Sequence, residues 1–93
     1  MVLNVYSLFD RLEGAHRTLV TSRSDASAVR TFCEEMTKYR DSLASKNVSV
    51  NLQDYELHKL GTFDDESGVL VSLSHYEVMP LNYGAVDTTP SAS

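Results

Sequence analysis

This chain of 93 residues has one cysteine, four glycines, two prolines and no excess of positive charge. A single cysteine cannot form an intramolecular disulfide, so Cys33 suits a reducing compartment. No apolar run approaches the roughly 20 residues that span a bilayer, and the beginning lacks the basic-then-apolar layout of a secretory signal. The net charge of −5 is not the basic footprint usual for a nucleic-acid binder. Catalytic patterns are equally scarce. There is no glycine-rich phosphate loop, no pair of metal-ligating cysteines and no His-Glu-x-x-His spacing, which predicts a protein that is not an enzyme and holds no cofactor or metal. Hydrophobic residues at 42% and charged residues at 23% are ordinary for a globular chain, and the length suffices for one domain.

Residues 2–9 are short, β-branched and aromatic, which predicts a strand. A polar stretch follows and closes at Gly14. Residues 16–22 return as a second strand, antiparallel because the connection is too short for a crossover. Ser24 and Asp25 can cap and charge the start of a helix. Val29, Phe32, Met36, Tyr39 and Leu43 then recur at helical spacing over residues 25–44. Residues 45–53 are polar and read as a loop. Residues 55–63 and 69–73 read as the last two strands, joined through Asp64, Asp65, Glu66, Ser67 and Gly68, a hairpin signal because Gly68 can adopt a left-handed conformation. The fold class expected is α+β, a four-stranded antiparallel sheet in ββαββ order with the helix on one face. The domain is expected to occupy residues 1–75, followed by a tail at 76–93 that is partly mobile or docks on a neighbour, its residues 87–93 being small and polar.

The first strand is apolar on both faces. Leu3, Val5 and Phe9 share one parity and Val2, Tyr6 and Leu8 the other, although one helix covers only one face. Two readings are open: Tyr6 and Leu8 are simply exposed, or the second face is covered by residues 76–83 or by another subunit. The second favours a homo-oligomer.

His16, His58 and His75 lie singly on three elements and read as surface or half-buried groups. Cys33, beside the apolar helical face, reads as a small buried hydrophobe. Asp64, Asp65 and Glu66 do not have the spacing of a calcium loop and read as solvated turn residues. Charge is unevenly distributed. Residues 11–40 hold six cations against four carboxylates, and residues 41–93 hold two against eight. Arg17, Arg23 and Arg30 could gather near one edge and hold phosphates, with Lys59 as a further candidate, while Tyr6 and Tyr55 stack on unpaired bases. The bland alternative is a mixed surface whose tyrosines belong to the core or an interface.

Three segments carry a resemblance: Val5-Tyr6-Ser7-Leu8-Phe9-Asp10 near the start, Ala28-Val29-Arg30-Thr31-Phe32 on the helix, and Asp54-Tyr55-Glu56-Leu57 running into residues 60–68. Over residues 4–70 the chain resembles the small nonstructural protein of gokushoviruses, the single-stranded DNA phages of the Microviridae. The resemblance implies a non-enzymatic factor of the infected bacterial cytoplasm that helps genome replication or the production of single-stranded DNA. Its implied partners are single-stranded DNA and phage or host replication proteins, with no membrane. The alternative, from another class, is a protein-only module for phage assembly or host-factor binding. Arg30 matches the helix motif, as a phosphate contact or as the partner of Glu34. Gly61 and Gly68 match the hairpin, Gly68 for its turn and Gly61 for a bulge or a close helix approach.

Overall fold

The computed structural model of the protein describes residues 1–81 and 83. Strands β1 (Val2–Asp10) and β2 (Ala15–Ser22) precede helix α1 (Asp25–Ala44). A single 3-10 turn at Leu52–Asp54 then leads into β3 (Tyr55–Asp64) and β4 (Leu70–Val78). The four strands form one antiparallel sheet in the order β2-β1-β3-β4, so the ββαββ arrangement expected from sequence is the one observed.

Local chemistry explains the boundaries. Asp10 ends β1 because its carboxylate accepts hydrogen bonds from the backbone N–H groups of Leu12 (3.0 Å) and Glu13 (3.2 Å). Its carbonyl accepts from Gly14, which has a left-handed φ of 64°. The Ser24 hydroxyl accepts the Ser27 N–H at 3.1 Å and caps α1, with Asp25 in the first turn. The helix closes where Asn47 takes a φ of 63° and the Val48 N–H donates to the Leu43 carbonyl.

The buried stripe of α1 is Ala28, Phe32, Cys33 and Met36. Tyr39, expected on that face, is exposed, because the stripe runs at i, i+4 through Ala28 rather than through Val29. Against this stripe lie Tyr6 and Leu57, both fully buried, with Leu52 and Met79 completing the core. The helix therefore covers the Tyr6 and Leu8 side of β1, which excludes the reading of Tyr6 as an exposed apolar group.

Strand β4 continues to Val78, past the residue 73 expected, and the body of the fold continues with it. The chain then turns onto the helix side. The Met79 N–H donates to the Leu57 carbonyl at 2.8 Å, and Leu81 and Tyr83 pack against the core. The Tyr6 and Leu8 face is thus covered by α1 together with Met79, Leu81 and Tyr83. Tyr76 instead leans over the Phe9 face. The tail expected at residues 87–93 lies outside the described residues.

Three register shifts shape the sheet, one of them between β1 and β3, where Val5 faces Gly61 and Tyr6 faces Lys59 so that Leu60 is an extra residue in β3. Leu8 faces Thr18 and Phe9 faces His16, so Arg17 is an extra residue in β2. Further along, Lys59 pairs with Glu77 and Gly61 with Ser72, which leaves residues 73–76 opposite Leu60 alone. Gly61 sits at this break, and the backbone it closely approaches is that of β4, not the helix.

Candidate nucleic-acid interface

The residues expected to bind DNA do not assemble into one surface. Tyr6 is fully buried and offers no ring face to a base. Its hydroxyl donates to Asp25 Oδ1 at 2.5 Å, and burial followed by that bond pushes its pKa up to about 12. Lys59 is held by the same carboxylate, its Nζ 3.2 Å from Asp25 Oδ1. The Tyr6 hydroxyl first, and then Lys59, keep Asp25 below the usual carboxylate range. Tyr6, Asp25 and Lys59 therefore latch the start of α1 to β1 and β3, and this is a structural role.

The three arginines are separated. Arg17 and Arg23 stand at opposite ends of β2, about 20 Å apart at 3.3 Å per residue. Arg17 pairs with Glu13 and, at 3.5 Å, with Asp10. Arg30 lies on the outer side of α1, 3.6 Å from Glu34, so the ion-pair reading of that residue fits the geometry. Arg23 is exposed and makes no ion pair among the described residues. Arg17 and Tyr55 do meet, in a cleft of about 470 Å³ that they share with Asp10, Glu13, Glu35 and Tyr39. Three carboxylates against one guanidinium make that cleft a poor seat for phosphate. Tyr55 is half-buried, its ring edge-on to Tyr39 at 6.4 Å, and burial raises its pKa.

The turn acids gather with the carboxylate oxygens of Asp64, Asp65 and Glu66 within 4.8 Å of one another. The amino group of Met1 lies 2.9 Å from Asp65 and 2.8 Å from Glu66. These are exposed ion pairs of small energetic weight.

A different constellation occupies the face of the sheet that the helix leaves open. The Phe9 ring stacks on His58 with centroids 4.6 Å apart and interplanar angle 22°. His16 lies 4.8 Å from Phe9 and 5.4 Å from His58. Tyr76 approaches His16 edge-on at 6.1 Å. The register explains the convergence. Phe9 pairs with His16 across the bulge and with Glu56 on the other side, while Ser7 pairs with His58. The long excursion of residues 73–76 lets Tyr76 reach across from the outer strand.

Polar groups fix the rings. The buried Ser7 hydroxyl and His16 Nδ1 lie 2.6 Å apart, and His58 Nε2 lies 2.9 Å from Glu56 Oε1. His58 Nδ1 is buried with no hydrogen-bond partner among the described residues. Arg11 borders the row, 3.8 Å from Glu56 and donating to the Gln53 carbonyl at 3.1 Å. Sequence reasoning missed this group because its histidines are far apart along the chain. One signal was available: a hairpin turning at Gly14 brings Phe9 opposite His16.

The family described as Phage ORF5 protein matches residues 3–81. The chain belongs to that family. No curated protein and no solved structure matches the chain. The family match takes in β1 through Leu81, so every ring of the open-face row and every residue of the buried core up to Met79 lies within it. Among the described residues of this ORF5 family member, no helix is long and apolar enough to cross a membrane.

Proposed function

We propose that this phage protein is a non-enzymatic, nonstructural factor that binds single-stranded DNA on the open face of its sheet. In this reading it serves genome replication or single-stranded DNA production in the bacterial host cytoplasm, as the resemblance to gokushovirus proteins implies. The observation that carries the proposal is the row Phe9, His58, His16 and Tyr76 on the face opposite the helix. Unpaired bases stack on such rings regardless of sequence, at about 1–3 kcal/mol per base. Tyr76 is more than half exposed and His16 is exposed, so part of the row is open to a base. Arg11, which borders the row 3.8 Å from Glu56, is the cation placed to meet a phosphate. In an acidic chain one such contact gives a shallow salt dependence, a slope of about −0.7 on a log–log plot.

A fluorescence titration with labelled oligothymidine at two salt concentrations tests this. Binding that weakens with salt, and falls about 5- to 150-fold in Tyr76→Ala while Arg30→Ala leaves it unchanged, is the expected result. Absence of binding at low salt refutes it. That outcome favours a protein-only module for phage assembly or host-factor binding, a reading supported by the net charge of −5 and by exposed Leu70, Val71 and Val78 on β4.

A further inference from the structure

We propose that two copies of this chain join through antiparallel pairing of β2 with β2, about a dyad at Leu19, into one continuous eight-stranded sheet. The inference stands on the geometry of one sheet edge and does not depend on DNA binding.

The two edges of the sheet differ. On β4, the four residues 73–76 stand opposite one residue of β3, which interrupts the straight run of backbone groups that another strand would need, and His75 and Glu77 add polar groups. Such irregularity and charge are how an edge is kept from pairing. β2 carries a one-residue bulge at Arg17, but the stretch beyond it, Thr18 to Thr21, pairs regularly with β1 and has neither device. Thr18, Leu19, Val20 and Thr21 are uncharged, free of proline and rich in β-branched side chains, and all four are exposed. The one charged residue next to them, Arg17, is drawn aside by Asp10 and Glu13.

Apolar surface borders this edge on both sides. Leu19, paired with Ser7, lies on the open face and is 68% exposed. Val20, paired with Tyr6, lies on the helix face yet is 44% exposed. It lines an apolar groove of about 450 Å³ between β2 and α1, together with Leu8, Phe32, Met36 and Leu57. An occupant that satisfies the backbone groups and covers both faces must itself be a strand with an uncharged, alternating centre. The chain supplies that strand.

Charge selects the register. When a strand pairs antiparallel with its own copy, the dyad passes through a residue and the two copies keep their faces alike. A dyad at Val20 sets Arg17 opposite Arg23 of the other copy, a like-charge pair. A dyad at Thr18 sets Leu19 opposite Arg17. With the dyad at Leu19, the two leucines meet on the open face, Thr18 meets Val20 beside the groove, and Arg17 meets Thr21. No like charges face each other, and between the two bulges roughly four to six backbone hydrogen bonds form.

Light scattering after size exclusion, on the full chain at about 100 µM and without oligonucleotide, decides the matter. The expected mass is twice that of one chain, falling to one chain in Leu19→Lys and staying doubled in Val71→Lys on the opposite edge. A single-chain mass for the parent, or a doubled mass that survives Leu19→Lys, overturns the proposal. Leu19→Cys keeps it falsifiable if the lysine variant does not fold: mild oxidation should yield a covalent dimer, Ser72→Cys should not, and failure of Leu19→Cys to cross-link counts against the dyad.

Discussion

Replacing Gly61 by alanine tests how tightly β4, and with it Tyr76, is held to the sheet. A Cβ at that position would overlap the Val71 carbonyl oxygen outright and stand 3.0 Å from its carbon and 3.1 Å from Ser72 Cα. All three are backbone atoms of the neighbouring strand, so no side-chain rotation relieves the overlap. β4 must shift, and the pairings of Gly61 with Ser72 and Thr62 with Val71 loosen. Two to three weakened hydrogen bonds at about 1 kcal/mol each, less up to about 1 kcal/mol regained from restricting the unfolded chain, leave a net cost of roughly 2 kcal/mol. For a domain of this size that lowers the melting temperature by about 8–16 °C. Urea and thermal unfolding followed by circular dichroism measure the change. A Gly61→Ala protein within about 0.5 kcal/mol of the parent would show that β4 yields freely, and the reasoning from close approach would be wrong.

The latch between helix and sheet makes two further predictions. Tyr6→Phe deletes the hydroxyl that donates to Asp25 and should cost about 1 kcal/mol in urea unfolding at pH 7. That is below the usual range for a bond to a charged group, because the carboxylate is half exposed and screened by solvent. Because the folded state raises the Tyr6 pKa from 10 to about 12, the stability it contributes is fully present below pH 10 and is lost as pH rises from 10 through 12. Tyr6→Phe should therefore lose less stability between pH 8 and 11 than the parent does, and equal losses would count against the assignment. At the acid end, Asp25 and Asp64 both lie below their ordinary 3.8, Asp64 because the Glu66 backbone N–H donates to it. Their contribution is present above pH 3.8 and is lost as pH falls through the lower folded values. The acid limb of the unfolding profile should become shallower in Asp25→Asn, and an unaltered limb would remove Asp25 from the latch.

Much of the fold is legible from local chemistry. The hairpin at residues 10–14 needs only a carboxylate that can accept two backbone N–H bonds and a glycine at positive φ. Helix α1 needs only Ser24, Asp25 and an apolar stripe. The site was less legible. Arg17, Arg23 and Arg30 look clustered along the chain, yet the rise of a strand and the turn of a helix set them apart, and neighbouring carboxylates take up Arg17 and Arg30. The sequence leaves Tyr6 open as a stacking ring because the parity of β1 does not say which of its two apolar faces the helix will choose.

The amino-acid sequence alone determined where chain direction reverses, which segments extend or coil, and that the sheet is antiparallel. These follow from capping groups, turn residues and side-chain period, all of which act within a few residues. Tertiary structure alone decided that the helix lies over Tyr6 rather than Phe9, that Met79 returns to the core, and that Phe9, His16, His58 and Tyr76 share a face. Those outcomes depend on register breaks in all three strand pairs and on the strand order, which sets β1 beside β3. That pairing joins segments as much as about sixty residues apart, where no local preference operates.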